Sequence, residues 1–452
     1  MTENYFDVWL RTDNALCVPV VPPGELDKIL VSVAYFVAQL GEDGPRPEVT
    51  FDLEHLQVVD YRAFDRITDA QRTCMDQIHS NAPIKPEEMV FLALRSMIGF
   101  SWPMPESEED VRRAATYELA LNQVLTSTAL DLGAKFRSSE ALLPYWGRMS
   151  FLRVMRAVPT RNVARFQLDQ IACALIKRPK FNATTFALET GSVIGFNFAL
   201  EPILKNLNRY LMHYFHSEHI AGAARLSRAW QGITPTILHF WSDLPTNKLT
   251  GSSAILFDIE AQKQAHALTA DQVDFIMMHE IGHAALDHPK RLKLASTWQG
   301  DTTPIRHEFE FAADAFAFGL LRSRLLNELR YQLTADPKPT EGDGKEGSGL
   351  DALREYQASW GAACLLFTYM DFIDRAGQLL KTRLGEQIRF RPHLDSHPKP
   401  KARMERLEQA NPGDYFYTSP LFRYATSFFD RVLEYANGLD NNALFKSLTK
   451  TS

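Results

Sequence analysis

One short run limits this chain more than any other: 273-VDFIMMHEIGHAALDHP-289. Val273, Ile276, Met277, Ile281 and Ala284 recur at helical spacing, so the segment predicts a helix apolar enough to lie in a core. On that helix His279 and His283 stand at i and i+4, about 40° apart around the axis, and both imidazoles leave one face with Glu280 beside them. This is the H-E-x-x-H arrangement, in which two neutral imidazoles hold a zinc ion and a carboxylate takes a proton from the activated water. Without a metal, the same three residues would need a buried hydrogen-bonded network. Local signals set the expected ends: Thr269 and Gln272 make a capping-box pattern, Asp271 suits the positive N-terminal end, and Pro289 closes the helix after His288. His288 is five residues past His283, about 140° around the axis, and is expected to miss that metal and serve as a helix-terminal charge.

A catalytic zinc site keeps three protein ligands and one open position. The metzincin motif would place Gly and His three and six residues past the second ligand, and here Leu286 and Pro289 stand there. Thr303-Pro304 supplies an N-cap and N1 proline for a further helix over 304–330, which carries 310-EFAADAFA-317. Glu310 and Asp314 share one face of it, so Glu310 can be the third ligand while Asp314 accepts a hydrogen bond from a ligating histidine and fixes its tautomer. Glu308 is six residues from Asp314, about 240° around the axis, and should face elsewhere. Ala312 and Ala313 keep the helix slim enough for close approach.

The 452 residues are enough for two domains, and a 45% hydrophobic content supplies a large core. The net charge of -6, with no basic stripe, argues against nucleic-acid binding. No run is apolar enough to span a membrane, and the start has no secretory pattern. Cys17, Cys74, Cys173 and Cys364 lack C-x-x-C spacing and fit reduced thiols, so a cytoplasmic location is expected. Residues 1–180 read as a mostly helical region of unassigned role, with helices over 84–100, 107–132 and the part of 18–40 that follows Pro22-Pro23, and 181–452 as the metal-bearing domain. Alternation around Glu189-Thr190-Gly191 predicts a strand pair within 182–198; a long helix follows over 199–230, and 252–260 is a second strand candidate. Either strand segment could be the edge along which an extended substrate pairs. Lys290, Arg291 and Lys293 read as a solvated helix end, and 335–351, rich in Pro, Gly and charge, as a mobile loop. Helices are expected again over 352–384, 396–410 and 419–436.

These residues resemble the zinc-dependent peptidases of the gluzincin group, most closely the M48-type family. The resemblance rests on 279-HEIGHAALDH-288, on 310-EFAADAFA-317 and on 396-SHPKPKARMERL-407, the last similar to that family's Ser/Thr-His-Pro element with an arginine six residues on. The 182–198 segment looks like the hairpin that precedes the family's active-site helix, so coverage runs from about residue 180 to 410. Soluble H-E-x-x-H proteases of mobile elements and bacterial defence, which carry a downstream acidic helix, are similar too. The resemblance implies an α+β, predominantly helical, zincin-like domain and one zinc per chain. It implies amide hydrolysis of protein or peptide substrates with Glu280 as general base, and His397 or Arg403 as the donor to the oxyanion. Two other readings stand beside it: an interaction protein whose metal only staples two helices, and a regulated effector whose N-terminal region binds an activating ligand or partner.

Overall fold

The computed structural model describes residues 68–81, 165–176, 181–197, 199–217, 221–242, 259–297, 301–334, 348–391, 397–410 and 420–449, with residue 154 and the short strands 40–41, 44–45, 50–52 and 57–59. These residues are mostly helical around one small mixed sheet. Leu40–Gly41 (β1) pairs Gly44–Pro45 (β2), and Thr50–Asp52 (β3) pairs Gln57–Val59 (β4), both antiparallel. The three-stranded sheet is built from Ile171–Ile176 (β5), Ala183–Ala187 (β6) and Ser192–Asn197 (β7), in the order β5-β7-β6. β7 runs parallel to β5 and antiparallel to β6, with Thr185 opposite Ile194. As the central strand it buries Val193, Ile194 and Phe196 on both faces, whereas β6, at the edge, is mostly half-buried. Gly191 turns the hairpin at φ +79°, and a Cβ there would come within 2.5 Å of the Gln170 carbonyl oxygen.

A helix that the sequence reading did not predict, Asp69–Asn81 (α1), docks on this sheet. Thr68 and Gln71 cap it reciprocally: the Thr68 amide donates to Gln71 Oε1 at 2.9 Å and the Gln71 amide to Thr68 Oγ1 at 3.2 Å. The Gln71 amide group then donates to the carbonyls of Gln170 and Ser192 at 2.7 and 3.1 Å. β5 precedes residue 180, so the sheet takes strands from both sides of the expected division. The helices expected over 84–100 and 107–132 lie outside the described residues, as does 18–40 except Leu40.

The long helix expected over 199–230 is two helices, Leu200–His216 (α2) and Gly222–Trp241 (α3), the second extending past the expected end. The helix that carries the histidines is Ile259–Ala285 (α4), eleven residues longer at its start than the capping-box pattern predicts. Thr269 is therefore interior, not a cap. Ala261, Ala265 and Leu268 are buried and carry the helix backwards, and Thr269 Oγ1 donates to the Ala265 carbonyl at 2.6 Å. The same Thr269 and Gln272 accept from Asn208 Nδ2 at 2.9 and 2.8 Å, and the Tyr369 hydroxyl donates to Asn208 Oδ1 at 2.5 Å. Every residue from Gln272 to Ile281 is buried, so α4 runs through the core and not along the surface. Ile259 and Glu260, the end of the second strand candidate, belong to this helix; 252–258 lie outside the described residues.

α4 ends at Ala285, and Pro289 opens the next helix, His288–Ser296 (α5), which contains Lys290, Arg291 and Lys293. Thr303–Thr334 (α6) packs along α4, with the Thr303 amide held by Asp301 Oδ1 at 2.9 Å. Ser348–Leu384 (α7) begins inside the expected 335–351 loop, whose residues 335–347 lie outside the described residues. Pro400–Ala410 (α8), Pro420–Gly438 (α9) and Asn441–Thr449 (α10) complete the chain. Phe275, Phe318, Phe367, Phe372, Phe428 and Phe429 fill the core between α4, α6, α7 and α9. Among the described residues, no helix is long and apolar enough to cross a membrane.

Candidate metal centre

Two helices meet at their smallest residues. Gly282 on α4 lies against α6, where an added Cβ would sit 3.2 Å from the Cα and carbonyl oxygen of Ala313. This approach lets Glu310, near the start of α6, reach the imidazoles leaving the last turns of α4. His279 Nε2 and His283 Nε2 are 3.0 Å apart, and Glu310 places one carboxylate oxygen 3.5 Å from the first and the other 3.4 Å from the second. Tetrahedral zinc with bonds of about 2.0–2.1 Å has ligand-to-ligand edges of about 3.3–3.4 Å. The three side chains thus converge close to the separations such an ion needs, the imidazole nitrogens slightly nearer each other, and their N,N,O donor set suits it.

The residues behind this triad fix its orientation. Asp314 Oδ1 is 2.8 Å from His279 Nδ1, so in the neutral, metal-ligating form of the ring that nitrogen holds the proton and Nε2 offers its lone pair. Arg403 on α8 donates to Asp314 twice, from Nε at 2.7 Å and from a terminal nitrogen at 2.6 Å, and its guanidinium lies 5.0 Å above the Phe367 ring. Its other terminal nitrogen is 3.6 Å from Glu310. Glu308 points outward, 66% exposed, with Arg406 3.8 Å away.

Glu280 is buried on α4 outside the donor set. The hydroxyl of Thr185, on edge strand β6, donates to Glu280 Oε2 at 2.7 Å and lies 3.0 Å from the Glu280 carbonyl oxygen. His397 stands at the rim, its side chain 51% exposed and its Nε2 3.7 Å from Glu310. All seven residues singled out from the sequence, His279, Glu280, His283, Glu310, Asp314, His397 and Arg403, therefore belong to one neighbourhood.

Comparisons with protein-family models, curated proteins and solved structures return no match.

The expectation for His288 is corrected. It is not a helix-terminal charge but a buried ring, with its Nδ1 3.0 Å from His283 Nδ1. The 140° projection assumes an unbroken helix, whereas Asp287 takes the left-handed conformation (φ 57°, ψ 30°) and turns the chain back between α4 and α5. His288 then stacks on Phe309 of α6, ring centroids 4.4 Å apart and 5° from parallel, with the Arg291 guanidinium 4.7 Å from that Phe309 ring. Thr185 is the second residue the sequence reading missed. It lies in the predicted strand pair, but no local pattern links it to a helix 95 positions on.

Charge follows the same geometry. Burial would lower the pKa of His279, but the charge and hydrogen bond of Asp314, then the bond to Glu310, outweigh burial and raise it to about 10. Burial would raise Glu310; hydrogen bonds to His279 and His283, with Arg403, hold it well below the usual range. Asp314 is likewise driven up by burial but brought below its ordinary value by Arg403. Burial, with the charges of His283 and Arg291, pushes His288 down to about 3, so it is neutral at pH 7.

Proposed function

We propose that this chain is a zinc-dependent endopeptidase of zincin-like fold that hydrolyses protein or peptide bonds. The observation that carries the reading is the pairing of a three-residue donor set at zinc-like separations with a buried carboxylate, Glu280, that is not one of the donors. A structural zinc takes four protein ligands and has no use for such a group, while a catalytic one leaves a position open. Among the described residues the group has three members.

His279, His283 and Glu310 would hold the zinc, which would supply Lewis acidity to activate a water and a carbonyl. Glu280, aligned by Thr185, accepts the water proton and returns it to the leaving amine. Arg403 has two of its nitrogens committed to Asp314, which supports a positioning role for it. That leaves His397, at the rim, as the donor to the oxyanion. Among the described residues β6 is paired only through β7, and this edge beside Glu280 supports an extended substrate that adds as a further strand. The effector reading, with an activator bound by residues 1–180, is compatible with this chemistry.

The test needs no substrate at first. Elemental analysis of the purified protein should give one zinc per chain, and the cobalt-substituted protein should change its visible spectrum on titration with a simple hydroxamate, which occupies an open position. A spectrum indifferent to hydroxamate would mean a closed, structural site and would overturn the peptidase reading. Mass-spectrometric screening of a peptide library then asks for cleavage by the wild type and none by Glu280→Gln, which should keep its zinc.

A further inference from the structure

We infer that His288 is the positioning residue of the second metal-ligating histidine: its Nδ1 accepts the Nδ1–H of His283 and so selects the tautomer whose Nε2 faces the metal. This inference rests on the metal-centre reading given above. Each histidine in the triad can ligate through Nε2 only if its own proton is on Nδ1. For His279 that is enforced by Asp314, since a carboxylate can only accept. The Nδ1 of His283 instead faces a third imidazole, and a neutral imidazole can donate or accept.

The direction of that one hydrogen bond decides whether the site can close around an ion. If His288 donated, the proton of His283 would sit on Nε2, aimed at His279 Nε2 only 3.0 Å away, between the atoms that must hold the metal. If His283 donates, both Nε2 lone pairs converge with the Glu310 carboxylate. His288 is built to stay in the accepting position. The left-handed Asp287 sets its backbone, Pro289 follows in the first turn of α5, the Phe309 ring lies against its face, and it is 2% exposed. Its ring meets that of His283 edge-on, centroids 5.0 Å apart at 75°, an orientation that brings the two Nδ1 atoms together.

Two substitutions separate the acceptor from the ring. His288→Phe keeps an aromatic ring to stack on Phe309 but has no acceptor. His288→Asn places an amide oxygen near the position of Nδ1 and restores one. Zinc affinity, measured by competition with a chromophoric chelator, should fall about 10 to 100-fold in His288→Phe and return to within about threefold of wild type in His288→Asn. In zinc-loaded wild type with 15N-labelled histidine, NMR should give the Nδ1–H tautomer for His283 and the Nε2–H tautomer for His288. That measurement stands even if His288→Phe does not fold. A wild type that binds zinc tightly while His288→Phe binds it equally well, or in which His288 carries its proton on Nδ1, overturns the inference and leaves the metal centre intact. A wild type that binds no zinc overturns the metal centre itself.

Discussion

Glu308 and Glu310, two residues apart on α6, lie in opposite surroundings. Glu310 meets both imidazoles and the Arg403 guanidinium, while Glu308 is out in solvent near Arg406. Zinc affinity should therefore fall by orders of magnitude in Glu310→Ala, by about 10 to 100-fold in Asp314→Ala, and hardly at all in Glu308→Ala. A chelator-competition titration of the three variants checks the order, and a larger loss at Glu308 would overturn the phase of the helix. Arg403 is the other residue with a large predicted effect. Arg403→Ala takes the bidentate partner from the buried Asp314 carboxylate and leaves it His279 alone, and breaking such a buried pair costs up to about 3–5 kcal/mol. Urea unfolding of the metal-free variant should show that loss; a change below about 1 kcal/mol would mean that water replaces the guanidinium. The first outcome follows from spacing already visible in the sequence; the second rests on the contact of Arg403 with Asp314, which only the fold brings together. E-x-x-x-D on a helix puts two carboxylates on one face, and a ligand and the acid behind it must share a face.

Helices α4 and α6 make the site because they touch at Gly282 and Ala313, and Glu310 reaches the histidines only at that separation. Gly282→Val should force the pair apart, destabilise the fold by about 1–3 kcal/mol and weaken zinc binding in step, read by thermal unfolding and chelator competition on one preparation. Unchanged zinc affinity would show that Glu310 tolerates a wider gap. At this scale the sequence was only partly legible. The capping-box pattern occurs at Thr68-x-x-Gln71 and at Thr269-x-x-Gln272; the first caps a helix, and the second lies inside one. Local chemistry is the same at both, and the difference is that Ala261, Ala265 and Leu268 find partners in the core and extend α4 backwards. His288 was misread for a related reason, since a helical wheel has no term for the single left-handed residue at Asp287. Thr185 required knowing that β6 passes beside α4, a contact that no local pattern encodes.

Over the whole molecule, the core joins segments far apart in the chain. Cys173 on β5, before the expected division at residue 180, and Cys364 on α7 are both buried in the same apolar cluster. Burial pushes the Cys173 thiol up to about 12 and the Cys364 thiol higher still. The thiolate is the reactive form, and a raised pKa lowers its fraction at every pH below that value. At pH 8 a thiol of pKa about 12 is ionised to about one part in 10⁴, against about a quarter for a free cysteine of pKa about 8.5. Alkylation of either residue in the folded protein should be slower by at least that ratio. For Cys173 the rate should still be climbing about tenfold per pH unit at pH 9, where an exposed thiol has levelled off. Pulsed iodoacetamide labelling read by mass spectrometry, repeated along a urea series, turns the pair into a test of the architecture. If one core holds both, Cys173 and Cys364 become reactive over the same narrow range of urea, because a single cooperative transition exposes them together. If Cys173 labels well before Cys364, the sheet opens on its own. The strand that carries Thr185 to Glu280 would then belong to a separately unfolding unit, and the proposed general base would lose its alignment before the proposed metal ligands lose theirs.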